Sequence, residues 1–529
     1  MTLLEDEDFD PAGTTPLPWL VVAGLLLAAA AVFNALLLNS SDGVIDDAYI
    51  FFRYVDNLFA GHGLTWNPGE TGHDRVEGYT SFLYVMLLSI PRALGMDLAE
   101  ACHVLNIGLF AALVLVVWQI ARRAFDRPGL SILVAPALLA TSASLGQASR
   151  SGLEVMLFGF TMMLACALHL HAGSRPFGRA LSGAAFGLVV LTRPEGFLVY
   201  AICALLGLSE TLRHGLRAAL TGEARRLLGF LLIVGPHLLW RLWYYGEPLP
   251  NTYYAKVEYS WSNVYRGIEG LLAFLTTMRG TITVVSLVAW SIAPSARTGR
   301  LFASLVFGWL LYLTAFLGLP DWGQSYTFPI DWFSLSLLGW ALAAIAHDRS
   351  IRPTLALVVP SLLLAVANMA PGISRLRASE DPWNLALIDP PGDTMIAGFI
   401  EIGKKLKEIA EPGDTVAVGA CGAIPYFSEL VTYDTLGLND KHIARQPVKY
   451  PGQASFGHEK GDGAYIASKE PTYLIPLPLL TPEPHQGYVS FSVTFSEITA
   501  ITEFRSRYQF RSVQVDDGRY FNYFELNRP

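Results

Sequence analysis

Charge is scarce in this chain of 529 residues: Asp, Glu, Lys and Arg together make up 16% of it, against about 25% in soluble domains. With 52% hydrophobic and 12% aromatic residues, too little charge remains to cover a soluble globule, which excludes a purely cytoplasmic enzyme. The same apolar content excludes a disordered chain. A formal net charge of −8 excludes a nucleic-acid binder led by bulk electrostatics. Cysteine is scarce too. The four present (Cys102, Cys166, Cys203 and Cys421) make no disulfide framework, and no His/Cys cluster has zinc spacing. A basic stretch before the first apolar run is missing, because Met1 to Asp10 is acidic; that run reads as an uncleaved membrane helix, not a signal peptide. Lysine is rarest of all. Of 37 basic residues eight are lysines, seven of them beyond residue 400, which leaves Lys256 alone in the first 400. A GC-rich genome that favours arginine explains the scarcity but not the survivor.

Apolar runs are abundant. The first covers Pro18 to Leu38, and others of bilayer length follow near 103–120, 129–146, 153–171, 180–192, 195–208, 227–243, 280–293, 301–319, 329–346 and 353–369. The reading is an α-helical polytopic membrane protein of about eleven transmembrane helices. With the N-terminus inside, the inner segments hold 13 Lys or Arg in 65 residues and the outer loops 7 in 105, the sign that the positive-inside rule requires. The first outer loop (39–100), the loop around Lys256 and everything beyond residue 370 then share the outer compartment. Residues 1–370 form the membrane domain. From Pro371 lysines, glycine and proline rise, and residues 371–529 suffice for one extracytoplasmic α/β domain. Its expected elements are an amphipathic helix Thr394 to Ala410 and short strands Thr415 to Gly419, Leu430 to Asp434 and Tyr473 to Ile475.

The chemistry-bearing residues gather at the outer ends of the spans. Asp46 and Asp47 open the first loop. Two adjacent carboxylates at a membrane surface either raise one pKa or share a cation, and either suits a base that takes a proton from a hydroxyl; the plain structural alternative is an N-cap for a helix Ala48 to Phe59. Arg53, Arg75, Glu77 and Tyr79 follow in the same loop. An apolar stretch to Leu94 should lie flat on the membrane. Arg150 with Glu154 and Arg193 with Glu195 stand at span ends, where ionisable groups either face a cavity or lock two helices. Lys256 closes the run Asn251-Thr252-Tyr253-Tyr254-Ala255-Lys256, as a point charge for a phosphate or as an interfacial anchor. Asp321-Trp322 is a weaker candidate for the same cavity, and His458 lies in Gly457-His458-Glu459-Lys460 of the tail. The glycine-rich Gly419 to Pro425 lacks a complete nucleotide-loop pattern and is rejected as one.

Several of these stretches together resemble a known family. Asp46-Asp47-Ala48-Tyr49-Ile50-Phe51-Phe52-Arg53-Tyr54, Gly61-His62-Gly63-Leu64, Asn67-Pro68-Gly69-Glu70 and Val76-Glu77-Gly78-Tyr79-Thr80-Ser81 look like the first outer loop of bacterial GT-C glycosyltransferases related to the mycobacterial arabinofuranosyltransferase AftB. Thr192 to Gly196, Leu249 to Lys256, Asp434 to Asp440 and Gly457 to Lys460 are similar to that group as well, while Pro320 to Tyr326 departs from it. The resemblance implies transfer of a sugar, arabinofuranose first, from a polyprenyl-phosphate carrier in the bacterial inner membrane to a hydroxyl of an envelope glycan or protein on the outer face. It implies Asp46 as base, with Asp47 orienting the acceptor or both holding a divalent cation (Mg, Mn or Ca). Lys256, helped by Arg193 or Arg150, is then the candidate for the donor phosphate. Arg53, Arg75, Glu77, Tyr79, Glu154, Glu195, Asn251, Tyr253, Tyr254 and His458 are the candidates for contact with substrate. The stereochemical outcome is not assigned by these residues. The competing classes are a transporter, which would place its polar groups near mid-membrane, and a non-catalytic envelope or motility factor on the same scaffold.

Overall fold

The computed structural model describes residues 17–37, 44–125, 130–173, 175–257, 260–293, 297–317, 325–348, 391–449, 458–485, 492–516 and 518–528. The predicted span 353–369, the junction at 370 and Asp321-Trp322 lie outside them.

Helix α1 (Leu17–Leu37) is followed by the loop helices α2 (Asp46–Phe59) and α3 (Phe82–Ala93), then by α4 (Leu98–Arg123), α5 (Val134–Ala140) and α6 (Ala143–Ala148). The apolar helices α7 (Val155–His171), α8 (Pro176–Thr192), α9 (Gly196–Leu212) and α10 (Leu216–Tyr245) come next. The short α11 (Asn251–Lys256) leads to α12 (Trp261–Leu275), α13 (Met278–Ile292), α14 (Arg297–Tyr312), which runs into a π turn, and α15 (Phe328–Asp348). Local chemistry sets several boundaries. Asp97 caps α4 by accepting from the N–H groups of Ala99 and Glu100 at 2.9 and 3.0 Å. Gly246 ends α10 in the left-handed conformation that a Cβ disfavours.

By length and composition four helices among the described residues suffice to cross a bilayer: Leu98–Arg123, Leu216–Tyr245, Arg297–Leu317 and Phe328–Ile345. A fifth is reached if the pair α12 and α13, bent by 84°, counts as one. The expected eleven is therefore not matched on these criteria, for physical reasons. The run 129–146 is divided by a 3₁₀ turn and by Ser142, whose hydroxyl caps α6. Helices α7, α8 and α9 have 17 residues each, just under the ~20 that span a flat bilayer. At 12 residues α3 is too short to cross, as expected of a segment lying flat.

The tail begins with α16 (Pro391–Ile409) and contains β1 (Thr415–Val418), β2 (Val431–Asp434), β3 (Tyr473–Ile475), β4 (Tyr508–Gln514) and β5 (Tyr520–Leu526). The sheet order is β2-β1-β3-β5-β4, with β1 parallel to both β2 and β3, and β5 antiparallel to β3 and β4. Alternation along the strands sorts the core into two faces. Val416, Val418 and Ile475 point toward Ile402 and Leu406 of α16, while Ala417 and Leu474 point toward Ile466, Phe495 and Ile498.

The membrane helices have their own core, around Phe110, Met162, Phe186, Trp309 and Trp332. A second core does not respect the expected domain division. Tyr54, Trp66, Tyr84 and Leu88 of the first outer loop pack in one continuous cluster with Ile402, Val416, Ile424 and Phe521 of the tail. First loop and tail are one packed body.

Candidate active site

Helix α2 begins at Asp46, so that residue does not cap its own helix. It caps another. The Asp46 carboxylate accepts from the N–H of Ala423 at 2.7 Å and of Gly422 at 3.1 Å, at the start of the tail helix Ala423–Ser428. Gly422 supplies no side chain of its own for that purpose, and the closeness of the two chains demands a glycine: a Cβ there would run into the Asp46 carbonyl oxygen. Burial pushes the Asp46 carboxyl up to about 7, against the two N–H donors and with help from Asp47. Such a value would suit a base, but geometry comes before pKa. Both carboxylate oxygens already hold amide protons inside an interface. The two aspartates expected to act together are thus placed differently: Asp46 is held in the interface and Asp47 is exposed beside it.

Asp47 is exposed. It lines a cavity of about 60 Å³ together with Tyr79, Glu154, Arg193, Lys256 and Tyr326. Tyr326 lies between the two cations: its ring centroid is 5.9 Å from Lys256 Nζ and 4.7 Å from Arg193 Cζ. Trp309 Nε1 fixes the loop by donating to the Tyr326 carbonyl at 2.9 Å. Arg193 keeps Glu195 as a partner at 3.0 Å and takes Glu154 at 2.7 Å. The expected pair Arg150–Glu154 is thus replaced. Arg150 does not line this cavity; its carbonyl faces His103 Nε2 at 3.1 Å and its guanidinium lies near Cys102. Two buried carboxylates balance Arg193, so Lys256 is the cation with charge to offer. Replacing Arg193 with Ala should leave both carboxylates uncompensated and cost roughly 3–5 kcal/mol, read as a fall in the thermal midpoint of the detergent-solubilised protein; an unaltered midpoint would refute the triad.

Other candidates serve the structure. Arg53 is buried and donates to the carbonyls of Trp66 (2.9 Å), Pro425 (2.5 Å) and Leu430 (2.8 Å) and to Asn67 Oδ1 (3.1 Å). These bonds tie α2 to the tail. Glu77 is buried against Arg241, with Nε at 2.8 Å, and Arg75 lies over the ring of Tyr244 at 4.2 Å. Asn251 donates through Nδ2 to the carbonyls of Gly437, Leu438 and Asp440 at 2.8, 3.0 and 3.2 Å. It clamps the Asp434–Asp440 stretch, where the Asp434 carboxylate in turn accepts from Leu436, Gly437 and Asn439. Tyr253 and Tyr254 meet edge to face at 5.6 Å, and Tyr254 is covered by Arg445 at 4.6 Å. Arg53, Asn251 and Tyr254 thus meet the tail, whereas Glu77 and Arg75 meet α10.

His458 stands with Asp46 and Asp47 along a second cavity of about 290 Å³. Burial and the nearby Lys256 push its imidazole down, while Asp47 pulls it up, so it is neutral near pH 7. Each Asp46 oxygen accepts one amide N–H and keeps a further lone pair; among the described residues no group of three or more His, Cys, Asp or Glu is arranged to hold an ion.

A search of solved structures places this architecture. The protein is similar to ArnT from Cupriavidus metallidurans bound to undecaprenyl phosphate, with a TM-score of 0.52 and 14% identity over 79% of this chain and 86% of that one. It is also similar to the archaeal oligosaccharyltransferase AglB from Archaeoglobus fulgidus in complex with an inhibitory peptide and a dolichol-phosphate (TM-score 0.53, 13% identity, 86% of this chain and 69% of that one). The fold is GT-C. For the arabinofuranosyltransferase AftD from mycobacteria the TM-score is 0.49 at 16% identity, over 98% of this chain and 40% of that one. A family model described as a domain of unknown function, DUF8728, matches residues 392–521, the sheet-bearing tail. No curated protein matches by sequence.

Within this fold the polar cavity lies where α2, α11 and the ends of α7 and α8 converge, with Leu438 of the tail in its wall. Tyr326 was not singled out by sequence, although it closes the poorly matching Pro320 to Tyr326 stretch. Asn67 was read as turn chemistry alone. It pairs with Thr432 of β2 through both ends of its amide, at 2.9 and 3.1 Å, much as a neighbouring strand would.

Proposed function

We propose that the protein is a glycosyltransferase that takes a sugar from a polyprenyl-phosphate carrier and passes it to an acceptor hydroxyl at the outer face of a bacterial inner membrane. The observation that carries this reading is the cavity in which an exposed carboxylate, Asp47, and the solitary lysine, Lys256, face the same space. The fold it shares with ArnT and AglB, solved with lipid phosphates, supports it. An N-terminus inside, as the positive-inside bias of the loops suggests, would put the first outer loop and that cavity outside, where lipid-linked donors replace nucleotide sugars.

In this scheme Asp47 takes the proton of the acceptor hydroxyl. The oxygen bonds to the anomeric carbon, the bond from that carbon to the phosphate oxygen breaks, and polyprenyl phosphate leaves with the electron pair. Lys256 meets the charge that grows on the departing phosphate, and Tyr326 holds the ammonium in place. Arabinofuranose is the sugar we assign first, on the likeness of the first loop to AftB-related enzymes, with an envelope glycan or protein as acceptor. The direct test is incubation of purified protein with radiolabelled polyprenyl-phosphate arabinofuranose, followed by mass spectrometry of envelope glycans and pilins from a deletion strain. Unchanged glycans and pilins, with no release of polyprenyl phosphate, would overturn the reading.

Lys256→Ala should lower kcat/KM for the donor by about 10- to 100-fold, and Lys256→Arg should recover part of it, since a guanidinium also pairs with phosphate. Steady-state kinetics at saturating acceptor decide this. Wild-type values in Lys256→Ala would reduce the lysine to an interfacial anchor.

A further inference from the structure

Asp47 and Leu438 line both cavities. The smaller is otherwise formed mainly by the membrane domain and first loop; the larger belongs to the tail. The larger one opens beyond the carboxyl ends of the parallel strands: Gly419 and Cys421 follow β1, Leu436 follows β2, and Pro476 and Leu479 follow β3. In parallel α/β sheets that crevice is where ligands bind. Its volume of about 290 Å³ suits a small molecule or one end of a larger one.

The chemistry of its wall is uneven. Asp47 and His458 supply polar groups beside the lysine cavity, whereas Phe399, Leu436, Leu479 and Phe495 line the tail side, and the exposed Met395 extends the apolar surface outward. A bare polysaccharide seated there would strip water from hydroxyls that find few partners. An apolar group would gain by leaving water.

We propose that this crevice is the acceptor subsite and that it takes an amphipathic glycoside, with a sugar hydroxyl at Asp47 and His458 and an apolar aglycone along Phe399, Leu436, Leu479 and Phe495. The proposal rests on the transferase reading, because a donor phosphate at Lys256 leaves this crevice as the opposite approach to Asp47.

The test uses full-length protein in lipid nanodiscs and two probes, octyl and methyl arabinofuranoside, the octyl compound also in a form with a diazirine on its terminal carbon. The octyl glycoside should half-saturate binding at a concentration at least about tenfold below the methyl glycoside. Its cross-links should map to peptides containing Phe399 and Leu479. Leu479→Asp and Met395→Asp, at partly buried and exposed positions, should each abolish the octyl advantage while polyprenyl-phosphate binding stays at the wild-type level; because both proteins sit in the same lipid, partition of the octyl chain into the bilayer cancels. Equal saturation by the two glycosides, cross-links confined to α1–α15, or protection of those peptides by an apolar serine peptide but not by the octyl glycoside would each overturn the proposal. Selective octyl binding by a protein that moves no sugar from any polyprenyl-phosphate donor would overturn the transferase reading instead.

Discussion

Asp47→Asn should reduce sugar transfer by about 10²- to 10⁴-fold, the range of a lost general base, while the protein still inserts, folds and binds polyprenyl phosphate. The amide has nearly the shape of the carboxylate and can still accept a hydrogen bond, so what it loses is the capacity to take a proton. The expected signature is a fall in kcat with the donor affinity intact. Asp46→Asn is the decisive companion. Its side-chain oxygen can still accept from Ala423, while its NH₂ would face the amide of Gly422, so docking weakens but Asp47 remains. Transfer should therefore survive in Asp46→Asn at a reduced level. The reverse order, with Asp46→Asn dead and Asp47→Asn active, would return the base to Asp46 and refute the geometric argument.

Gly422→Val should separate the tail from the first loop and abolish transfer almost as completely, by a different route. A Cβ at this position meets the backbone and carboxylate of Asp46, and overlap with backbone cannot be relieved by a rotamer change. Neither Asp46 nor the amides of residues 422 and 423 would then find their partners, and each buried group left unpaired costs about 1–3 kcal/mol. The tail keeps its own two-faced core, so it should remain folded. Hydrogen exchange separates the outcomes: faster exchange in α2 and in Ala423–Ser428, with β1 and β3 unaffected, marks loss of docking alone. Wild-type exchange and activity would show that the interface tolerates the extra bulk.

Part of this site is legible in the sequence. The adjacency of Asp46 and Asp47 and the isolation of Lys256 are one-dimensional facts, and three residues that bear on the chemistry follow from them. The partner of Glu154 is not such a fact. Arg150 is four residues away and Arg193 is 39, yet the turn of chain at the ends of α7 and α8 brings the distant arginine within 2.7 Å. The docking residues show the same limit. Arg53 and Asn251 carry the chemistry of ligands, and only the fold reveals that their ligands are tail carbonyls. In the tail, β1, β2 and β3 are found close to their expected positions because short β-rich runs sit between turn signals. The hairpin β4–β5 went unread although Asp517-Gly518 separates two aromatic-rich runs, a recognised hairpin signal. Span count and helix count differ for a simpler reason: hydropathy marks apolar length and does not reveal where a helix breaks.

The shared core of first loop and tail bears on modularity. A boundary drawn at the chain's compositional change, near residue 370, cuts through one apolar cluster, which Ile402, Ile424 and Phe521 share with Tyr54, Trp66 and Leu88. Any excised soluble half would present that face to water and invite aggregation. The natural unit for transplantation between homologues is therefore discontinuous in sequence, comprising the first outer loop and the C-terminal residues moved together.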